Sequence, residues 1–166
     1  MNHIVKISVR TLVEYGFRSG TLTSGFRTST SLTDGTKAHQ QIQSTYKDSD
    51  QKEVLLKTEI PYEDLIFKVE GRCDGLLFNE GEETLITIDE IKSTSQSLDQ
   101  ITEETNPVHW AQAIFYAYIY AKDHELMEMN IQLTYVQVNT EEQNRFQRKM
   151  TYQELESYVK HVVEQY

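Results

Sequence analysis

From Leu85 to Lys92 the chain sets three charges, Asp89, Glu90 and Lys92, into a run otherwise made of Leu85, Ile86, Thr87, Ile88 and Ile91. β-Branched residues in such a row favour a strand. The four large aliphatic side chains make that strand largely buried, where an unpaired charge is expensive. Charges kept in such a place need partners.

The nearest partner is the preceding run, Leu65 to Phe78, joined to Thr84–Ser93 by Asn79-Glu80-Gly81-Glu82-Glu83, a turn composition that predicts a β-hairpin. Side chains alternate along a strand, so Glu90 and Lys92 share one face while Asp89 and Ile91 share the other. Pairing Phe78 with Thr84 places Arg72 opposite Glu90 and Asp74 opposite Ile88, which puts Asp74 on the face of Glu90 and Lys92. Diagonal neighbours in a sheet are roughly 7–8 Å apart, and two carboxylates at that separation can share one hard cation such as Mg²⁺. The chemistry this favours is metal-assisted phosphodiester hydrolysis. Asp74 and Glu90 hold a divalent ion, and Lys92 orients the attacking water and stabilises developing charge. The spacing also has a plainer reading: a Glu and a Lys two apart on a strand are usually a solvated face.

Elsewhere, Ser8 suits the cap of a helix with Val9, Leu12 and Val13 at helical spacing and an Arg10/Glu14 pair. Arg18 to Thr33, rich in Ser, Thr, Gly and Arg, reads as a mobile loop or lid. A second helix is expected from about Asp34 to Tyr46. Glu53 to Glu59 alternates as a strand that Pro61 interrupts. Ser93 to Asn106 is a connector, and Pro107 opens a helix whose stretch His109 to Lys122 has buried composition. Ile131 to Val138 reads as a strand, and Tyr152 to Tyr166 as an amphipathic helix with Leu155, Tyr158, Val159 and Val162 on one side. No internal repeat is present.

With 166 residues, a single domain over 1–166 is expected. The longest apolar run, Ala113 to Ala121, is short of the ~18 residues of a membrane span, and Met1 to Arg10 has no signal-like stretch, so a cytoplasmic protein is expected. The only cysteine, Cys73, leaves no disulfide and no iron–sulphur cluster. Net charge is -10, yet residues 1–47 carry six basic side chains against two acidic, a local +4 that can face phosphates.

Gly71-Arg72-Cys73-Asp74-Gly75 followed by Glu90-Ile91-Lys92 resembles the PD-(D/E)XK nuclease superfamily, and within it the RecB-type nuclease domains. Asp74 stands for the first acidic residue and Glu90-Ile91-Lys92 for the E-x-K element, with Cys73 where the motif's name has Pro. Gln112-Ala113-Ile114-Phe115-Tyr116 matches the Q-x-x-x-Y element, and Gly35-Thr36-Lys37-Ala38-His39 is similar to the helical histidine segment ahead of the sheet. The resemblance implies a restriction-endonuclease-like α/β fold, a mixed sheet flanked by helices. It implies Mg²⁺ or Mn²⁺ on His39, Asp74, Glu90 and the Ile91 carbonyl, Lys92 for the water, and Gln112 and Tyr116 supporting the site or contacting DNA. His109 shares their stripe and reads as structural; Tyr120 reads as core.

The expected substrate is DNA, single-stranded or with free ends, met by Arg18, Arg27 and Lys37 among the early basic residues. Relatives with four cysteines carry an iron–sulphur cluster that this chain cannot hold. Asn106 to Gln112 looks like the nuclease domain ahead of DinG- or XPD-type helicases, although no phosphate-loop motif is present. Two alternatives stand beside the nuclease: a nucleic-acid-binding module of the same fold without chemistry, and an acidic DNA mimic. The first has no need of Asp74, Glu90 and Lys92 together, and the second sits poorly with the basic first quarter.

Overall fold

A computed structural model describes residues 3–19, 32–78, 85–102 and 107–165, with the side chains of 17–19 and 32–35 left out. It is a six-stranded mixed sheet flanked by helices, the architecture expected. The strands are β1 (His3–Ser8), β2 (Gln51–Tyr62), β3 (Leu65–Phe78), β4 (Ile86–Thr94), β5 (Glu128–Gln137) and β6 (Gln143–Thr151). They run in the order β1-β3-β4-β5-β6, with β2 pairing β3 from the other side. β1/β3 and β4/β5 are parallel; the other pairs are antiparallel.

Helices α1 (Val9–Ser19), α3 (Pro107–His124) and α4 (Tyr152–Glu164) cover one face. Ser8 caps α1 as expected, its Oγ accepting the Thr11 N–H at 3.0 Å. Buried from His109 to Ala121, α3 has no polar face because the sheet lies on one side and α1 and α4 on the other. Thr151 and Glu154 close a capping box at the start of α4. The opposite face carries α2 (Leu32–Gln43), whose Ala38 and Ile42 pack on Ile91 of β4 and Val136 of β5, with Tyr46 beside them. Among the described residues no helix is long and apolar enough to cross a membrane.

Several expectations are corrected. Arg18 and Ser19 belong to α1, and Leu32 and Thr33 to α2, so the ends of the expected lid are helical; 20–31, with Arg27, lie outside the described residues. Pro61 does not interrupt β2, where it pairs with Ile66: β2 is an edge strand, and the missing N–H costs no ladder bond. β1 and β6 are strands that sequence reading misses. Neither contains a run of buried residues; β1 is held by pairing with residues some sixty positions away.

The hairpin exists, but Phe78 pairs with Ile86 rather than Thr84, so Gly75 faces Asp89 and Leu76 faces Ile88. The shift of two residues preserves parity. Arg72 is not opposite Glu90 but beside Leu55 of β2. Alternation along β3 is also broken. A Cβ on Gly71 would meet the Tyr116 ring of α3, whereas one on Gly75 would meet Tyr46 on the α2 side, although both numbers are odd. Glu53, at the matching point of β2, has φ 53, in the left-handed region that a non-glycine residue rarely adopts.

Candidate metal centre

β3 and β4 pair only from Phe78/Ile86 to Gly75/Asp89. Beyond that point β3 continues between β1 and β2, and the edge of β4 opens into a notch. In a strand the N–H and C=O of one residue point to the same side, and those of Ile91 point into this notch. The Ile91 N–H donates to Asp74 Oδ2 at 2.7 Å, and its carbonyl accepts from His39 Nε2 at 2.9 Å. Two buried backbone groups that a longer hairpin would have paired are met by a carboxylate and an imidazole instead.

Because a carbonyl can only accept, His39 Nε2 carries a proton, and a neutral ring turns the Nδ1 lone pair outward. Nδ1 lies 3.4 Å from Asp74 Oδ1. At that distance a single proton or cation can serve both atoms. Ligand atoms of His39, Glu53 and Asp74 all lie within 4.8 Å of one another. Gln43 on α2 ties this group together, its Nε2 donating to Glu53 Oε1 (2.9 Å) and to the Asp74 carbonyl (3.0 Å).

Glu90, 4% exposed, enters from the α3 side. Burial pushes its carboxyl well above the usual carboxylate range and the charge of Asp74 pushes it further; the Lys92 ammonium, 4.0 Å away, opposes both. Lys92 Nζ donates to Gln112 Oε1 at 2.9 Å. Gln112 and Tyr116 are both buried, one turn apart on α3. Burial raises the Tyr116 phenol, and the charges of Glu90 and Asp74 raise it further, so it stays protonated.

Of the expected residues, His39 and Asp74 share one ligand group, the Ile91 carbonyl is taken by His39, and Glu90, Lys92, Gln112 and Tyr116 lie beside that group on the α3 side, Glu90 outside the group itself. Lys37 is exposed on α2; the side chain of Arg18 lies outside the described residues, as does Arg27. Glu53 and Gln43 were missed. Each is a polar residue in a polar stretch, and only the pairing of β2 with β3 and the seating of α2 bring them to Asp74.

His109 is 4% exposed, with Nδ1 2.9 Å from the Tyr135 hydroxyl. Burial, then the charges of Lys92 and Arg10, push its pKa well below the usual histidine value, so it is a neutral core residue rather than a ligand. Tyr120 is core, stacked on His124. Burial pushes the Cys73 thiol up to about 12, helped by Glu90 and Asp74, which removes it as a nucleophile. Asp89 faces away from the notch. It is 1% exposed and accepts from Tyr46 (2.6 Å), Thr134 (2.6 Å) and Gln132 (3.0 Å).

No family model and no curated protein matches the sequence. Eleven chains of solved structures do match the fold. One, described as the crystal structure of SSO0001, superposes with a TM-score of 0.59 at 15% identity, over 96% of this chain and 75% of that one. The likeness is one of fold.

Proposed function

We propose that this chain is a metal-dependent deoxyribonuclease of the PD-(D/E)XK, RecB-like type, acting on single strands or ends. The observation that carries this reading is Asp74 itself, fixed by the Ile91 N–H, grouped with His39 and Glu53, and acting by its charge on buried Glu90, whose neighbour Lys92 is held by Gln112. The donors suit Mg²⁺ or Mn²⁺: hard carboxylate oxygens and one imidazole, the Ile91 carbonyl being taken by His39. His39, Glu53 and Asp74, whose ligand atoms lie within 4.8 Å of one another, would hold the ion, with Glu90 beside Asp74. When bound, the ion supplies Lewis-acid charge and lowers the pKa of water.

The chain's own groups do the rest. The Ile91 N–H fixes the Asp74 carboxylate and the Ile91 carbonyl fixes the His39 ring, so both are aimed before any ligand arrives. Lys92, anchored at Gln112, keeps its ammonium beside Glu90, where it can orient water and meet the charge that develops on the phosphate. Work on DNA in the cytoplasm, coupled to a helicase module, is the setting that the sequence resemblance favours. The test is incubation of the purified chain with end-labelled single-stranded DNA in Mn²⁺, Mg²⁺ or EDTA, alongside calorimetric titration of Mn²⁺. Metal-dependent cleavage lost in Asp74→Ala supports the reading; Mn²⁺ binding with no cleavage of any DNA favours the module without chemistry.

A further inference from the structure

On the face of the sheet opposite α1 and α3, a cavity of about 630 Å³ lies over β1, β2 and β3. Its walls are Lys6 of β1, Lys57 and Glu59 of β2, and Lys68 and Glu70 of β3. Lys68 Nζ is 3.7 Å from Glu59 Oε1, while Lys6 and Lys57 have no ion pair among the described residues. Lys6 and Lys68 are direct cross-strand partners. Like charges placed opposite each other destabilise a sheet, so this pairing costs the free protein stability that a bound anion would return. The lining holds three lysines against Glu59 and Glu70, a local +1 in a chain of net charge -10, and Lys6 is the lysine with no glutamate opposite it.

The trough also has a direction. Lys57 pairs with Glu70, four residues along β3 from Asp74, and Lys6 with Lys68, six residues from it. At about 3.3 Å per residue these are roughly 13 and 20 Å from the metal centre. A stacked strand advancing 3.4 Å per nucleotide covers that in about four to six nucleotides. Three strands are roughly 10 Å across, the width of one sugar-phosphate backbone.

We propose that the Lys6–Lys57–Lys68 trough is a second nucleic-acid subsite, which holds the phosphates of single-stranded DNA about four to six nucleotides from the bond at the metal centre. The direction rests on the nuclease reading; the phosphate binding does not. Lys6 and Lys57 contact phosphates directly, and Lys68 is shared with Glu59.

The experiment measures, by fluorescence anisotropy in Mn²⁺ against NaCl concentration, binding of 20-nucleotide and 4-nucleotide single strands to the Lys92→Ala chain. Adding Lys6→Ala and Lys57→Ala should weaken the 20-mer about tenfold or more and lower its salt slope by about 1.4, at ~0.7 per single-strand contact. Binding of the 4-mer and of Mn²⁺ should not change. Glu59→Gln, which frees Lys68, should tighten the 20-mer. An unchanged slope means that the lysines only blunt sheet edges and overturns the proposal, as does tighter binding of a 20-base-pair duplex or no binding of either strand. If the wild type cuts DNA while the slope stays unchanged, the trough fails and the nuclease stands. If the wild type neither binds Mn²⁺ nor cuts, yet the slope depends on the lysines, the nuclease fails and the trough stands.

Discussion

Asp74 accepts the Ile91 N–H at 2.7 Å, in the place where a longer hairpin would have put a carbonyl of β3. That one bond joins fold and site. It closes the ladder at the point where β3 and β4 diverge, and it holds a carboxylate with its second oxygen turned to His39.

Replacing Asp74 by Asn keeps a neutral acceptor for Ile91 and removes the charge. Mn²⁺ affinity measured by calorimetry should fall more than ~100-fold, beyond the 10–100-fold typical of partners outside the ligand shell. Glu53→Gln, at the open side of the group, should cost about tenfold. Equal affinity of Asp74→Asn and wild type would remove Asp74 from the metal centre.

Lys92→Ala should lower the cleavage rate by about 10²–10³, the scale for loss of one group that stabilises transition-state charge, with Mn²⁺ affinity unchanged. Gln112→Ala leaves the ammonium without its anchor, and the rate should fall about tenfold. Single-turnover cleavage separates the two. A Gln112→Ala chain as slow as Lys92→Ala would show that the amide does more than anchor.

Glu90 carries a pH dependence. Its folded pKa is raised, first by burial and then by Asp74, so the free protein is favoured while the carboxyl is protonated. Stability is then lost as pH climbs from the ordinary value of 4.5 through the raised folded value. In EDTA, Glu90→Gln and wild type should have similar Tm near pH 5, and the variant should be higher at pH 8. Saturating Mn²⁺ at pH 8 should reverse the order. A wild type that is the more stable at pH 8 in EDTA contradicts this.

Tyr46→Phe removes one of three donors to buried Asp89, a bond to a charged group that is worth about 1.5–3 kcal/mol. At about 2–4 °C per kcal/mol for a chain this size, thermal unfolding should show a loss of several degrees. Mn²⁺ affinity should stay within about threefold, because Asp89 faces away from the notch. A tenfold loss would mean that this network also sets the position of His39.

What the sequence determined by itself is what local patterns encode. Apolar spacing marks α1, α3 and α4, Ser8 and Pro107 mark two helix starts, and the run Leu85 to Lys92 announces a buried strand with charges in need of partners. Asp74, Glu90 and Lys92 could be assigned to one neighbourhood because the expected and observed pairings differ by two residues, which keeps parity. The tertiary structure decided everything that depends on residues far apart in the chain. β1 is a strand because β3 accepts it. Glu53 and Gln43 reach Asp74 because β2 lies along β3 and α2 lies on β4. Lys6 meets Lys68 for the same reason. A hydrogen-bonded ladder is indifferent to which side chains it carries, so the pairing of distant strands leaves little trace in local composition, and that pairing is what assembles the notch.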